Sequence, residues 1–367
     1  MINLDYASHT PASEAVLAEF CRVERECMGN AMSAHSLGRI AYAELSRATE
    51  GIAELLNVNP TEIIYTSGAS EANNMAIKGI ANTSVGKHIL SSCLEHPSIS
   101  GTLAHLAEKG WEIELLKIQP NGKIDPTHLQ AVIRRDTALV CINAVDSELG
   151  VIQDIDGLTY HFNGHKPKLH VDFAQAMGKA TLPSSYSTLC FSPHKFYGLN
   201  GCGVLIKREG VVLEPLIHGG NHQNIYRAGT PSPAQAAACY TASKIAIEGQ
   251  EKNLKTVRNL REYVMKNLPD AVKINSPSDG SPYILNLSID GIRGHEMQAR
   301  LNERGIAISV KSACSTDNAP SRPVFAVTGE KKRALNSWRV SFSHLTTTRE
   351  LDALLSEITS ICQTVCL

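Results

Sequence analysis

Apolar residues recur along this chain in two rhythms, helical spacing and short uninterrupted runs. Over 36–57, Ile40, Leu45, Ala48, Ile52, Leu55 and Leu56 fall at helical spacing, and Asn59-Pro60 ends the pattern. An earlier helix is predicted from near Ser13 to about Cys27, with Val16, Leu17 and Phe20 on its apolar side. Apolar runs of strand length then follow at 63–66, 88–91, 111–118, 137–144, 169–172, 188–191 and 203–206, with helices predicted over 70–81, 97–108 and 126–134 between them. Such alternation predicts a large α/β domain with a mainly parallel seven-stranded sheet and ligands at the strand carboxyl ends. Beyond it the character changes. A long charged amphipathic helix is predicted over 245–267, then strands at 283–289, 306–310 and 338–342, with helices at 296–303 and about 348–364. The expected organisation is a large domain over 13–252 and a smaller α+β domain formed by 1–12 and 253–367.

At 367 residues the chain is long enough for such a pair of cores. Its 35 Lys and Arg against 36 Asp and Glu leave no broad field for nucleic acid or anionic membrane. No run approaches the roughly 20 apolar residues of a membrane span, and the first residues lack a secretory pattern, so a cytoplasmic protein is expected. The ten cysteines include no C-x-x-C pair and sit mostly in apolar runs, as buried thiols of a reducing compartment do. Cys362 and Cys366 share the last helix but lack partner ligands, and no metal site is expected.

Candidate chemistry centres on Ser192-Pro193-His194-Lys195, with Val171-Asp172-Phe173-Ala174-Gln175 just before it. A lysine near Ser and His, after a strand ending in Asp, suits an enzyme that holds pyridoxal phosphate (PLP). The lysine forms the Schiff base and the carboxylate keeps the pyridine nitrogen protonated. An isolated loop lysine, by contrast, reads as solvated. The turn Thr66-Ser67-Gly68-Ala69-Ser70 opens a helix with small residues and can present N–H groups and hydroxyls to a phosphate, although it also reads as an ordinary helix cap. It is neither a Walker A loop nor G-x-G-x-x-G.

Six segments in register carry a resemblance over essentially the whole chain. Ser67-Gly68-Ala69-Ser70-Glu71, Glu95-His96, Val171-Asp172-Phe173-Ala174-Gln175, Ser192-Pro193-His194-Lys195, Arg227-Ala228-Gly229-Thr230-Pro231 and Ser312-Ala313-Cys314-Ser315 occur in the order seen in cysteine desulfurases. The chain closely resembles that group, in its branch with a long catalytic-cysteine loop. The resemblance implies PLP fold type I, a homodimer, L-cysteine as substrate and sulfur transfer as a persulfide to an acceptor protein. Family members feed iron–sulfur cluster assembly, tRNA thiolation or DNA phosphorothioation.

Carried over, it implies that Lys195 is the Schiff-base lysine, that Asp172 pairs with the pyridine nitrogen and that Gln175 bonds the phenolate oxygen. His96 stacks on the ring and moves protons, Ala69, Ser70, Ser192 and His194 hold the phosphate, and Thr230 reaches the phosphate of the neighbouring subunit. Arg339 matches the position that binds the substrate carboxylate, and its guanidinium suits that task. Asn30 and His35 resemble the substrate-side segment, His35 reading equally as a local cap. Cys314 is the expected nucleophile. It lies in a polar stretch after an apolar run, although on the residues alone it is a surface thiol.

Two positions depart from the family. Asp146 stands where an asparagine normally lies close to the cofactor, and Pro193 replaces a common glycine. A PLP-dependent β-lyase or aminotransferase of the same fold, including a selenocysteine lyase, would use Lys195, Asp172 and Arg339 and leave Cys314 without work. A non-enzymatic sulfur or cluster scaffold would need clustered ligands and no Schiff-base lysine.

Overall fold

The computed structural model describes residues 1–220, 224–311 and 319–365. In chain order the elements run β1 (Ile2–Asn3), α1 (Glu14–Glu26), α2 (Ser36–Leu56), β2 (Ile63–Thr66), α3 (Ala69–Thr83), β3 (His88–Ser92), α4 (Pro97–Glu108) and β4 (Glu112–Leu116). They continue with α5 (Pro126–Val132), β5 (Thr137–Asn143), α6 (Ile155–Thr159), β6 (Lys168–Asp172), β7 (Thr188–Phe191), β8 (Gly203–Lys207) and α7 (Pro233–Glu248). The remainder comprises α8 (Gln250–Asn267), β9 (Val272–Ile274), β10 (Ile284–Ile289), α9 (Gly294–Glu303), β11 (Ile306–Ala307), α10 (Arg322–Thr328), α11 (Lys331–Leu335), β12 (Ser337–Ser341) and α12 (Thr348–Val365).

Seven strands form the main sheet in the order β2-β8-β7-β6-β5-β3-β4. The pairs from β7 to β4 are parallel, whereas β8 runs antiparallel to both β7 and β2. Two reversals leave β2 pointing the same way as β7, so six strands end at one edge. The inner strands are buried on both faces, whereas the edge strand β4 leaves Glu112 and Leu115 exposed. Along β5, Val140 and Ile142 enter one cluster while Leu139 and Cys141 enter the cluster under α3 and α4. Phe191 is fully buried, and burial of one such side chain contributes about 1.5–3 kcal/mol.

A second cluster gathers Val257, Val264, Leu285, Leu287, Trp338, Val340, Leu351 and Leu354 around the antiparallel sheet β12-β10-β9. Leu4 and Ala7 belong to it, because β1 pairs in parallel with β11 and Ser341 N donates to the Leu4 carbonyl. The segment after β1 is thereby laid along the seam between the sheets.

The helix expected over 245–267 is two helices. Gly249 closes α7, its N–H bonded to the Ile245 carbonyl, and α8 starts at the next residue. The expected strand at 306–310 shortens to β11, with Ser309 bridging Arg339 alone. Among the cysteines, Cys21 is exposed on α1 and Cys27 and Cys93 are half-buried, whereas Cys141, Cys190, Cys202, Cys239 and Cys362 are buried. Cys366 lies outside the described residues.

Candidate active site

The shared edge of the main sheet opens into a cavity of about 330 Å³. Each wall is the segment that follows one strand end: Ser67 to Glu71 after β2, His96 and Ser98 after β3, Asn143 and Ser147 after β5, Asp172 to Gln175 at β6, and Ser192 to Lys195 after β7. Ala7 and Ser8 enter from the N-terminal segment, and Arg339 enters from β12. On β12 the neighbours Trp338 and Val340 point into the core, so strand alternation turns Arg339 the other way. A larger cavity of about 570 Å³ is lined by Lys179, Arg258 and Arg261 together with Asp154, Asp156 and Asp279, and contains none of Lys195, Asp172 and Arg339.

Lys195 ends a short 3₁₀ turn in which Pro193 occupies the first position, where a missing N–H costs nothing. Its Nζ donates to the Ala7 carbonyl at 2.8 Å and the Ser8 carbonyl at 2.7 Å. Tyr197, two residues on, has φ 67°, an unfavourable conformation for a bulky residue. It is held there by its N–H to Thr10 Oγ1 at 2.7 Å and by its hydroxyl on Ser343 Oγ at 2.5 Å.

Asp172 is buried at the end of β6, its Oδ1 accepting from Ala174 N–H and its Oδ2 from Asn73 Nδ2, both at 2.9 Å. His96 caps α4, its Nδ1 accepting from Ser98 N–H at 3.1 Å and lying 2.8 Å from Ser98 Oγ. With Nδ1 accepting, the neutral ring carries its proton on Nε2. Burial, with Lys195 beside it, holds His96 below the ordinary imidazole value, against the pull of Asp172. Gln175 is buried, its Nε2 donating to the Ala7 carbonyl at 2.8 Å.

At the other end, α3 starts at Ala69 with no side-chain cap, because Gly68 stands at the capping position. Its dipole and first amides are left facing the cavity. A Cβ on Gly203 would lie 2.5 Å from the Gly68 backbone, so β8 approaches this turn as closely as glycine allows. Ser192 Oγ donates to the Cys202 carbonyl at 2.8 Å and sits 2.8 Å from His194 Nδ1. Burial pushes His194 down to about 4, with the charge of Lys195 adding to it, so the ring is neutral.

Arg339 is buried and already engaged. Its Nη1 donates to the Ser147 carbonyl at 2.6 Å, and its Nη2 pairs with Asp5 at 2.7 Å and Ser8 Oγ at 2.8 Å. Its Nε has no hydrogen-bond partner among the described residues.

The cavity thus brings together Lys195, Asp172, Gln175, His96, Ala69, Ser70, Ser192, His194 and Arg339. Others lie elsewhere. Asp146, expected close to the cofactor, does not line it: backbone N–H groups of Glu148 and Leu149 hold its carboxylate in the turn, and its neighbour Ser147 faces the cavity instead. His35 caps α2, accepting from Gly38 N–H at 3.2 Å, and Asn30 accepts from Met32 N–H at 2.9 Å; both are exposed and outside this chain's cavity. Thr230 is exposed and outside it as well. Cys314 lies outside the described residues.

Sequence reasoning did not single out Asn143, Ser98 or the buried Asn73 behind Asp172. The Asn73 signal was present, since it lies one helical turn past Ala69 on the face turned to the sheet.

The donor set fits PLP. A lysine and a carboxylate converge on one cavity, and an uncapped helix start, two hydroxyls and a histidine sit where an anion is held. This is the site of a fold type I PLP enzyme. The family profile described as aminotransferase class-V matches residues 2–354, and the chain belongs to that family. A protein from Neisseria meningitidis serogroup C, "Cysteine desulfurase IscS", is 34% identical, covering 95% of this chain and 89% of its own length. A solved "NIFS-LIKE PROTEIN" superposes with a TM-score of 0.92 at 28% identity, covering 99% of each chain. A second solved structure, "SspA in complex with cysteine", gives 0.83 at 27% identity, covering 95% of this chain and all of that one.

Proposed function

We propose that this chain is a cysteine desulfurase that converts L-cysteine to L-alanine and passes sulfur on through a persulfide at Cys314. The observation that carries the reading is the convergence of Lys195, Asp172 and Arg339 on one cavity, in a chain whose relatives include named desulfurases. The bound cofactor would supply an aldehyde for amines and a ring that takes up the electron pair of a broken Cα–H bond.

The chain's own residues do the rest. Asp172, fixed by Asn73 and Ala174, presents a carboxylate to the ring nitrogen. Ala69, Ser70, Ser192 and His194, which line the cavity at the start of α3, would hold the phosphate. Gln175, whose Nε2 donates to the Ala7 carbonyl, would offer its second amide N–H to the phenolate oxygen, and His96 carries a proton on Nε2 at the cavity wall. Arg339 takes the substrate carboxylate, sharing its guanidinium with Asp5. Lys195 Nζ, released from the Ala7 and Ser8 carbonyls, moves the Cα proton. The Cys314 thiolate attacks the substrate sulfur: an S–S bond forms, the Cβ–S bond breaks, and its electron pair stays on Cβ, where a proton completes alanine.

Lys311 and Ala319, on either side of the Cys314 segment, line a cleft shared with His96, which supports this assignment. We place Thr230, Asn30 and His35 on the site of a second subunit in a homodimer. Their exposure supports this, as do the exposed Met28, Met32, Leu37, Ile40 and Tyr42 on the segment that carries Asn30 and His35. The sulfur acceptor is a separate protein, in iron–sulfur cluster assembly, tRNA thiolation or DNA phosphorothioation. Cytoplasmic placement is supported by eight free cysteines among the described residues, and no helix of those residues is long and apolar enough to cross a membrane.

The test is intact-protein mass after cysteine without reductant. The wild type should gain one sulfur atom and Cys314→Ala none; a Cys314→Ala enzyme that still acquires sulfur and delivers it at the wild-type rate defeats the assignment.

A further inference from the structure

Asn73 sits in the second turn of α3, fully buried, and every polar atom of its side chain is used. Its Nδ2 donates to Asp172 Oδ2 at 2.9 Å and to Ser98 Oγ at 2.8 Å. Its Oδ1 lies 2.8 Å from His170 Nε2 and accepts from Cys190 Sγ at 2.9 Å. His170 Nδ1 in turn meets Thr188 Oγ1 at 2.9 Å, and both residues are completely buried.

These contacts admit one orientation of the amide. Turned over, its oxygen would face the Asp172 carboxylate, two acceptors in contact. With the observed orientation His170 must donate from Nε2 and accept at Nδ1 from the Thr188 hydroxyl, a neutral imidazole. Burial holds His170 down at about 4, which agrees with that state. Ser98 Oγ accepts from Asn73 and, because His96 Nδ1 already accepts from the Ser98 N–H, donates its own proton to that nitrogen. The bonds therefore run in one direction, from Thr188 through His170 to Asn73, where they fork to Asp172 and, by way of Ser98, to His96.

We propose that Asn73 is a positioning residue for two groups of the site at once, the carboxylate of Asp172 and, by way of the Ser98 hydroxyl, the imidazole of His96. The proposal rests on the PLP reading above. Through one arm Asn73 orients Asp172 and stabilises its charge. Through the other it orients the Ser98 hydroxyl toward His96 Nδ1, a second donor beside the Ser98 backbone N–H that keeps the His96 proton on the nitrogen away from α4. Neither Thr188 nor His170 lines the cavity. Their part is to fix the amide from behind, as outer hydrogen bonds fix a metal ligand.

The test uses Asn73→Leu, a near-isostere without donors, and Asn73→Ser, which cannot reach both partners, with Asp172→Asn as the reference. Apo proteins are titrated with PLP, and the bound cofactor's visible band is then titrated with pH. Loss of one charge-assisted bond predicts PLP binding weaker by about 10-fold or more. The midpoint of the band should move upward by about one unit, in the direction of Asp172→Asn, because a less protonated ring nitrogen makes the imine more basic. A merely structural role would lower the melting temperature and leave that midpoint in place. Ser98→Ala isolates the second arm and keeps the test decisive if both Asn73 variants fail to fold: it should leave the band midpoint unchanged and move the acid limb of the activity profile upward. Unchanged PLP affinity and band midpoint in folded Asn73 variants, or an unmoved acid limb in Ser98→Ala, overturn the proposal. A wild-type protein that develops no visible band with PLP overturns the cofactor reading itself, a result distinct from a band whose midpoint ignores Asn73.

Discussion

The floor and the rim of the cavity are built on opposite plans. On the floor, Asp172, Asn73, His170 and Thr188 form a buried set in which each side chain is paired. On the rim, the end of β5 and the turns after β3 and β5 bury polar atoms without partners among the described residues: Asn143 Oδ1, Glu95 Oε2 and Asp146 Oδ1. Burial pushes Glu95 up to about 8 and Asp146 up to about 7, with Glu148 adding to the latter. A fully satisfied network is rigid and holds one geometry, whereas buried acids with one oxygen left without a partner hold a proton up to near neutral pH. The floor therefore defines the chemistry, and the rim makes the protein sensitive to pH.

The comparison is broken most severely by removing the group that the floor serves. Lys195→Ala should lower kcat by about 10²- to 10⁴-fold, the range of a lost proton-transfer group, while leaving the melting temperature close to wild type. Steady-state kinetics beside a thermal scan distinguish this from a folding defect. Next in size is the wall between floor and rim. Arg339→Leu should raise KM for L-cysteine by about 10- to 100-fold, as expected for a lost charge-assisted pair, and it also strands Asp5. A KM unchanged by that substitution would place the substrate carboxylate elsewhere.

The smallest effect sharpens the contrast at the rim. The Asp146 carboxyl has a folded value of about 7 against an ordinary 3.8. Between about pH 4 and 7 the unfolded chain gives up a proton that the folded chain keeps, so stability is full below that window and falls as pH rises through it. Asp146→Asn retains an oxygen for the Glu148 and Leu149 N–H groups and removes the titration. Denaturant unfolding should show the variant more stable by about 1–3 kcal/mol at pH 8 and nearly equal to wild type at pH 4. Equal stability at both pH values would mean that Asp146 does not carry the proton.

Regular elements with strong patterning were legible in the sequence: 97–108 and 188–191 match α4 and β7 residue for residue. The helix α7 was not, because its alanines are buried on several sides and no apolar face stands out, although Ser232-Pro233 is a good helix start. The residues by which the main sheet lines the cavity were legible because each lies at or just past a strand end. Asp146 was misplaced by one position, since a turn decides which of two neighbours faces inward and here the backbone claims Asp146 and leaves Ser147. Asn73 and Ser98 were hidden for another reason: their work is done through other side chains, across long sequence separations that no local pattern records.

The central claim, sulfur transfer from cysteine, is tested most directly by product identity. Purified protein with PLP is incubated with L-cysteine and a reductant, and alanine, pyruvate and sulfide are quantified in the same sample. The account predicts alanine equal to sulfide, no pyruvate, and loss of both products in Cys314→Ala. Pyruvate in step with sulfide, undiminished by Cys314→Ala, would contradict it and make the protein a β-lyase on the same fold.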